Sequence, residues 1–342
     1  MGIVRTALRR SLKRIKHVSP VRPGDAREPV STVYAEVEAG FGLLAAPVAL
    51  HSPSPTALTA SWVLVRETLI ASGSASRAAK EAVAAAVSRQ NACPYCVTIH
   101  TATLDRLTDE PPAADEPPAA DQPPAAGGSL TAVGAWADRS GAERPFPAAH
   151  GPELLGVAVA FHYLNRVVNV FLDDSPLPSG APVVAERLLG RFMAGRARAD
   201  HPSGTSLRLL PTAPLPPDLS WAAGHAVVGD ALGRAAAAFE AGGGRVLSDA
   251  ARELVTSRLA SWDGTAPGLG RDWVRDAVSG LPADDRPGAT LALLVAFASY
   301  QVDDAVVAAF GGDDAALVEL VAWAAFAAAR RMAALTSRTS RV

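Results

Sequence analysis

The sequence predicts an all-α protein, and three observations carry that expectation. Alanine dominates, Val and Leu are common, and aromatic residues make up only 6% of the 342 residues, so strong helix formers fill the chain. Apolar residues recur at helical spacing in segment after segment, and nothing alternates strongly at period two. Helix punctuation is visible as well, as where Ser54 and Pro55 open an apolar run that Gly73 stops. Hydrophobic residues at 49% and charged residues at 19% leave enough apolar surface for a substantial core.

The elements follow in order. Residues 1–18 place Val4, Leu8, Leu12, Ile15 and Val18 on one face and Arg5, Arg9, Arg10, Lys13, Arg14 and Lys16 on the other. This predicts a basic N-terminal helix that packs its apolar stripe on the body, in preference to one that touches a membrane or polyanion. Two helices are expected around "APVALHSPSPTAL", over about 32–44 and 55–72, and a third over 74–90. Another helix starts at Cys93. Residues 109–126, "DEPPAADEPPAADQPPAA", repeat every six residues with paired prolines, which excludes helix and sheet. An extended or disordered insertion is expected over 108–128. Helices resume at about 129–139, 151–172 and 183–197. The segment 201–220 is irregular and reads as a join. Helices then run over about 221–241, 247–261, 271–279, 286–310 and 313–335, and the glycines of "EAGGGRVLSD" (240–249) read as a helix break.

The implied organisation is a basic N-terminal helix and linker (1–29), a helical domain (30–200), a linker (201–220) and a second helical unit (221–342). A tandem repeat with a degenerate second copy is expected. "RAAKEAVAAAVSRQN" (77–91) aligns with "DAARELVTSRLASWD" (249–263), pairing Glu81 with Glu253, Val83 with Val255 and Val87 with Leu259.

The net charge of −2 gives no global attraction to nucleic acid or anionic membrane. Two cysteines do not make a secreted disulfide framework. The N-terminal stretch lacks the apolar region of a signal peptide. No segment reaches about 18 clean apolar residues, because 154–172 carries His162, Asn165, Arg166 and Asn169. A cytoplasmic protein with no integral membrane segment is expected. No G-x-G-x-x-G follows a strand, so no flavin or nicotinamide cofactor is expected and reducing power must come from outside.

The chemistry concentrates in "RQNACPYCVTIHTATL" (89–104), which holds Cys93 and Cys96, the only cysteines in the chain. Pro94 suits the first helical position, which places Cys93 at the N-cap and Cys96 in the first turn. Unpaired backbone N–H groups and the helix dipole there favour thiolate over thiol. A free thiol with a pKa of about 8.5 is only ~3% ionised at pH 7, so a lowered value would matter. His100 lies four residues beyond Cys96, within reach as a proton acceptor. The three-residue spacing lets the sulfurs close a disulfide with little loss of chain entropy, and a sulfenic acid on one can be captured by the other.

Glu81, twelve residues before Cys93, then Cys-x-x-Cys, then His100, resembles the active-site signature of AhpD-like alkylhydroperoxidases in the carboxymuconolactone decarboxylase superfamily. "KEAVAAAVSRQNACPYCVTIHTATL" is similar to that family's core, and "FHYLNRVVNVFL" to the helix that packs over its site. The resemblance covers about residues 30–175. It implies an AhpD-like all-α bundle, usually oligomeric, that reduces a hydroperoxide and cycles between dithiol and disulfide. It also implies that Cys96 takes the peroxide oxygen, that Cys93 resolves it and donates a proton, and that His100 and Glu81 form a proton relay. An external dithiol or thiol protein would regenerate the pair. Tyr95 stands where the family's best-studied branch has histidine.

Other readings compete. The cysteines could be buried small hydrophobes, or ligate zinc with His100 and a carboxylate. Haem attachment is excluded, since Val97 stands where CxxCH needs histidine. A lactone decarboxylase from the same superfamily and a non-enzymatic redox-sensing or interaction protein are the alternatives for function. Tyr95, His162 and Asn165 are pocket candidates, although buried polar groups need partners and His162, Asn165, Arg166 and Asn169 read more readily as bonds between helices. Asp303 and Asp304 form an Asp-Asp pair that adjacent helical positions would point apart.

Overall fold

The computed structural model describes residues 11–109, 129–138, 143–177 and 183–339, and every regular element among them is helical. The first ten residues and residues 110–128 of the Pro/Ala insertion lie outside the described residues, and the first two residues expected in that insertion, Thr108 and Asp109, are instead helical. Of the expected N-terminal helix, Ser11–Arg14 forms a single 3₁₀ turn. His17 at φ +68° turns the chain out of helical geometry, so the helix does not continue to Val18. The described part of the apolar stripe packs as expected: Leu12 and Ile15 lie against the core, and Val18 is buried in it, while Val4 and Leu8 lie outside the described residues. Arg14 pairs with Asp173 and donates to the Leu177 carbonyl.

The first half contains α1 (Val30–Phe41), a short α2 (Ala46–Ala49), α3 (Pro55–Val65), α4 (Arg77–Gln90), α5 (Pro94–Asp109), α6 (Leu130–Asp138), α7 (Gly151–Phe171) and α8 (Val183–Ala197). Gly42 stops α1 in the left-handed region at φ +78°. Ser54 caps α3 by accepting from the Ala57 N–H, and Ser76 caps α4 through Ala79. α3 runs on into a π-helical turn over Arg66–Ile70.

The second half contains α9 (Ala226–Val246), α10 (Asp249–Ser261), α11 (Asp272–Val278), α12 (Arg286–Ala298), α13 (Asp304–Phe310) and α14 (Asp314–Thr339). Two expectations need correction. The glycines of 242–244 do not break a helix, because α9 continues through them to Val246. A β-carbon on Gly243 would meet the Trp323 ring at 2.4 Å, so this position lets α9 approach α14 closely. The single helix expected over 286–310 is two: Ser299–Gln301 forms a 3₁₀ turn, and Asp303 caps α13 by accepting from Val306.

α7 sits at the centre, with nearly every residue buried, between α4 on one side and α14 on the other. One core cluster runs through both halves. Tyr163 of α7 meets Phe239 of α9 at 4.9 Å between ring centres, and Phe239 meets Phe326 of α14 at 5.0 Å. The irregular 201–220 stretch is pinned down: buried Glu67 accepts from the N–H of Gly204 and from both the N–H and the hydroxyl of Ser206. Residues 148–171 are long and apolar enough to cross a membrane by length and composition, but 94% of the most apolar 18-residue window in that stretch is buried inside the protein, as befits a core helix.

Candidate active site

The two cysteines are positioned by a tight reversal between α4 and α5. The N–H groups of Asn91, Ala92 and Cys93 donate to the carbonyls of Val87, Arg89 and Ser88, which closes the end of α4. Ala92 takes the left-handed conformation at φ +48°. The Cys93 carbonyl accepts from Val97, so Cys93 is the N-cap of α5 and Pro94 its first residue, as the sequence predicts.

Both cysteines are free thiols, 1% and 2% exposed. Burial pushes the Cys96 thiol well above its ordinary value; the hydrogen bond and charge of Cys93 add to this, and a hydrogen bond to Asn165 opposes it. The expected thiolate is therefore not favoured in this resting dithiol. The start of the helix is buried, and desolvation outweighs the dipole there.

His100 is buried and donates from Nδ1 to Glu81 Oε2 at 2.6 Å. Among the described residues, the hydrogen-bond partner of His100 is thus Glu81 rather than Cys96. Burial raises the Glu81 carboxyl, but Arg77, one helical turn earlier, and His100 outweigh it and hold the group below its usual range. Arg77 Nε reaches Glu81 Oε1 at 2.8 Å. Glu81 on α4 and His100 on α5 thus meet through packing of the two helices. With Nδ1 bonded to a carboxylate, Nε2 is the ring nitrogen left without a hydrogen bond among the described residues. Phe161 of α7 stands edge-on to the imidazole at 4.5 Å.

His100 and Tyr95 line an apolar cavity of about 70 Å³, whose walls include Phe41, Leu43, Leu69, Leu164 and Met193. Tyr95 is buried rather than exposed, and burial raises its phenol far above the ordinary value. His162 and Asn165 lie elsewhere, around Asn91. Asn91 Nδ2 donates to Asn165 Oδ1 at 3.0 Å and to His162 Nδ1 at 3.1 Å, and Arg166 Nη1 donates to Asn91 Oδ1 at 3.0 Å. Asn169 donates to the Asn91 carbonyl at 3.1 Å. The polar residues that interrupt α7 therefore bond between helices, and they tie the cysteine turn to α7. Burial and the neighbouring Arg166 keep the His162 pKa low, so His162 is neutral and can accept this bond.

Sequence reasoning assigned no role to Arg77, Asn91 or Phe161. The i,i+4 spacing of Arg77 and Glu81 was a local signal for the first. Nothing local marks the others. Asp303 caps α13 and pairs with Arg271, and no group of three or more His, Cys, Asp or Glu residues that could hold a metal occurs among the described residues.

A CxxC pair opening one helix, backed by a buried His–Glu pair on an all-α frame, is the arrangement that the AhpD-like resemblance implies. The chain is 39% identical over 337 residues to an alkyl hydroperoxide reductase of Mycobacterium tuberculosis (strain ATCC 25618 / H37Rv), covering 94% of each protein. It belongs to the AhpD-like alkyl hydroperoxide reductase family. No protein-family model matches the chain, and no solved structure matches it.

Proposed function

We propose that this protein is a thiol-dependent peroxidase that reduces organic hydroperoxides through Cys96 and Cys93. The observation that carries the reading is a buried CxxC pair at the start of the helix that carries His100, whose imidazole bonds Glu81 and lines an apolar cavity. The name of the mycobacterial relative supports hydroperoxide reduction. The apolar walls suit the organic part of ROOH and leave its polar end beside His100.

The steps balance as follows. Cys96 gives up its proton, and its sulfur attacks the terminal oxygen of ROOH. The O–O bond breaks, ROH leaves with a proton, and Cys96 becomes sulfenic acid. The Cys93 sulfur then attacks Cys96, the S–O bond breaks, water leaves, and a disulfide forms. An external dithiol returns two electrons and two protons by exchange. His100 Nε2 is the base for the first proton, with Glu81 holding the ring in the required tautomer. Because His100 and Cys96 are not directly bonded, a bridging water or the peroxide's own O–H carries that proton.

The wider reading includes a homo-oligomer, a cytoplasmic location, and residues 221–342 as a degenerate second copy of the first helical unit. The burial of Val83, Val255, Val87 and Leu259 at paired positions supports the last of these. Glu253, the partner of Glu81, is exposed and has no cysteine pair behind it.

The test is a thiol count before and after one equivalent of cumene hydroperoxide, with a sulfenic-acid trap, on the parent, Cys93→Ser and Cys96→Ser. The parent is expected to lose both thiols, and Cys93→Ser alone to accumulate trappable sulfenate. Thiols that survive peroxide but oxidise with a disulfide reagent would sink the peroxidase reading and leave a dithiol exchanger.

A further inference from the structure

Arg166 is a buried cation without an anion. It is 5% exposed, and no carboxylate lies within ion-pair distance of it among the described residues. Its partners are all neutral: Nε donates to the Ala296 carbonyl at 3.0 Å, and Nη1 donates to Asn91 Oδ1 and to the His162 carbonyl. The guanidinium carbon lies 6.0 Å from the centre of the Trp262 ring. Nη2 makes no hydrogen bond to any described residue. A buried charge is costly unless it is paired, and Arg pairs best with a planar anion. Burial alone shifts Arg166, bringing its pKa down to about 10, which agrees with the absence of a nearby carboxylate among the described residues.

A pocket opens at this cation. Its lining includes Asn91, Arg166, Trp262, Ala266, Ser299 and Tyr300, so it lies at the α4 end of the cysteine turn, apart from the apolar cavity. Ser299 supplies a second unused donor, because its oxygen accepts from Asn169 and its hydroxyl donates to no described residue. The pocket holds about 40 Å³. At roughly 10–15 Å³ per water site, that is room for about three heavy atoms, the size of a carboxylate head group.

We propose that this pocket is a binding site for a small carboxylate, held by Arg166 Nη2 and the Ser299 hydroxyl against the Trp262 ring. The site uses neither thiol, so it stands or falls independently of the peroxidase reading.

The probe is sodium acetate, titrated by calorimetry into the full-length protein at constant ionic strength, with acetamide as the neutral isostere and inorganic phosphate as the larger anion. Saturable acetate binding is expected, with none for acetamide and weaker binding for phosphate. Ala266 is exposed on the rim, so Ala266→Phe plugs the pocket without disturbing the core and should weaken acetate by about tenfold or more. Arg166→Met should abolish binding. If it fails to fold, the rim variant decides. A Cys93→Ser, Cys96→Ser double variant should bind acetate like the parent. Absent acetate binding, equal binding of acetate and acetamide, phosphate binding as tight as acetate, or undiminished binding in Ala266→Phe would each overturn the proposal.

Discussion

Glu81 keeps its charge in a place where burial opposes charge, because Arg77 and His100 both face it. A carboxyl whose folded pKa is depressed contributes stability that is present above its unfolded value and lost as pH falls through the folded one. The parent should therefore lose stability below about pH 4.5, the ordinary value of the group. Glu81→Gln should be destabilised by about 3–5 kcal/mol at pH 7, since removing one partner strands the others. That deficit should shrink on acidification, and urea midpoints at pH 7 and pH 4 would check it. With the tautomer of His100 no longer fixed, peroxide turnover in Glu81→Gln should fall by about 10²–10⁴-fold if the relay operates. Cys96 gives the opposite sign. Its folded pKa is raised by burial, so the unfolded chain loses its proton first and folding stability falls as pH rises past 9.0. Cys96→Ser should remove that slope, at most about 1.4 kcal/mol per pH unit, measured between pH 9 and 10 before the buried tyrosines titrate in the unfolded chain. An unchanged slope in the variant would mean that the thiol is not held protonated.

The reversal between α4 and α5 shows which parts of an element a sequence makes legible. Cys93 as cap and Pro94 as first residue are local matters, decided by side chains within a few positions, and they stand as read. Asn91 is different. Its side chain answers to His162, Asn165 and Arg166, which lie 71, 74 and 75 residues away, and no periodicity reports such partners. The continuation of α9 through Gly242–Gly244 was hidden for the same reason, since Trp323 of α14 is what Gly243 accommodates. The split between α12 and α13 had a local cue, Asp303 in a capping position, masked by the long apolar run around it. Two substitutions test the turn. Asn91→Ala strands several buried donors and acceptors and should cost about 2–4 kcal/mol, read as a lower urea midpoint. Ala92→Gly removes the penalty of a left-handed alanine, about 1–2 kcal/mol, and adds up to about 1 kcal/mol of unfolded-chain entropy, so the net change should be neutral to mildly stabilising. A clear loss of stability would show that the β-carbon of Ala92 packs favourably.

At the scale of the molecule, the fold class was legible because helical periodicity is a property of every segment, whereas the way the two halves meet was not. Composition suggested a linker at 201–220, yet that stretch carries the Ser206 bonds to buried Glu67, and the halves join through α7 and α14. Any tandem repeat in the sequence is thus embedded in one shared core. This has a consequence for stability. Tyr163, Phe239 and Phe326 come from α7, α9 and α14, and the Tyr163 hydroxyl also bonds buried His51 at 2.6 Å. Phe326 is 2% exposed, so Phe326→Ala opens a cavity where the halves meet and should cost about 3–5 kcal/mol. If the core is shared, the loss appears equally on both sides. Thermal unfolding followed by alkylation of Cys93 and Cys96, which reports α5, and by Trp262 fluorescence after replacement of the other tryptophans by Phe, which reports the second half, should shift together in one transition. Two separated transitions, with only the second-half signal lowered by Phe326→Ala, would mean that the halves are independent domains and that the dithiol site owes nothing to α14.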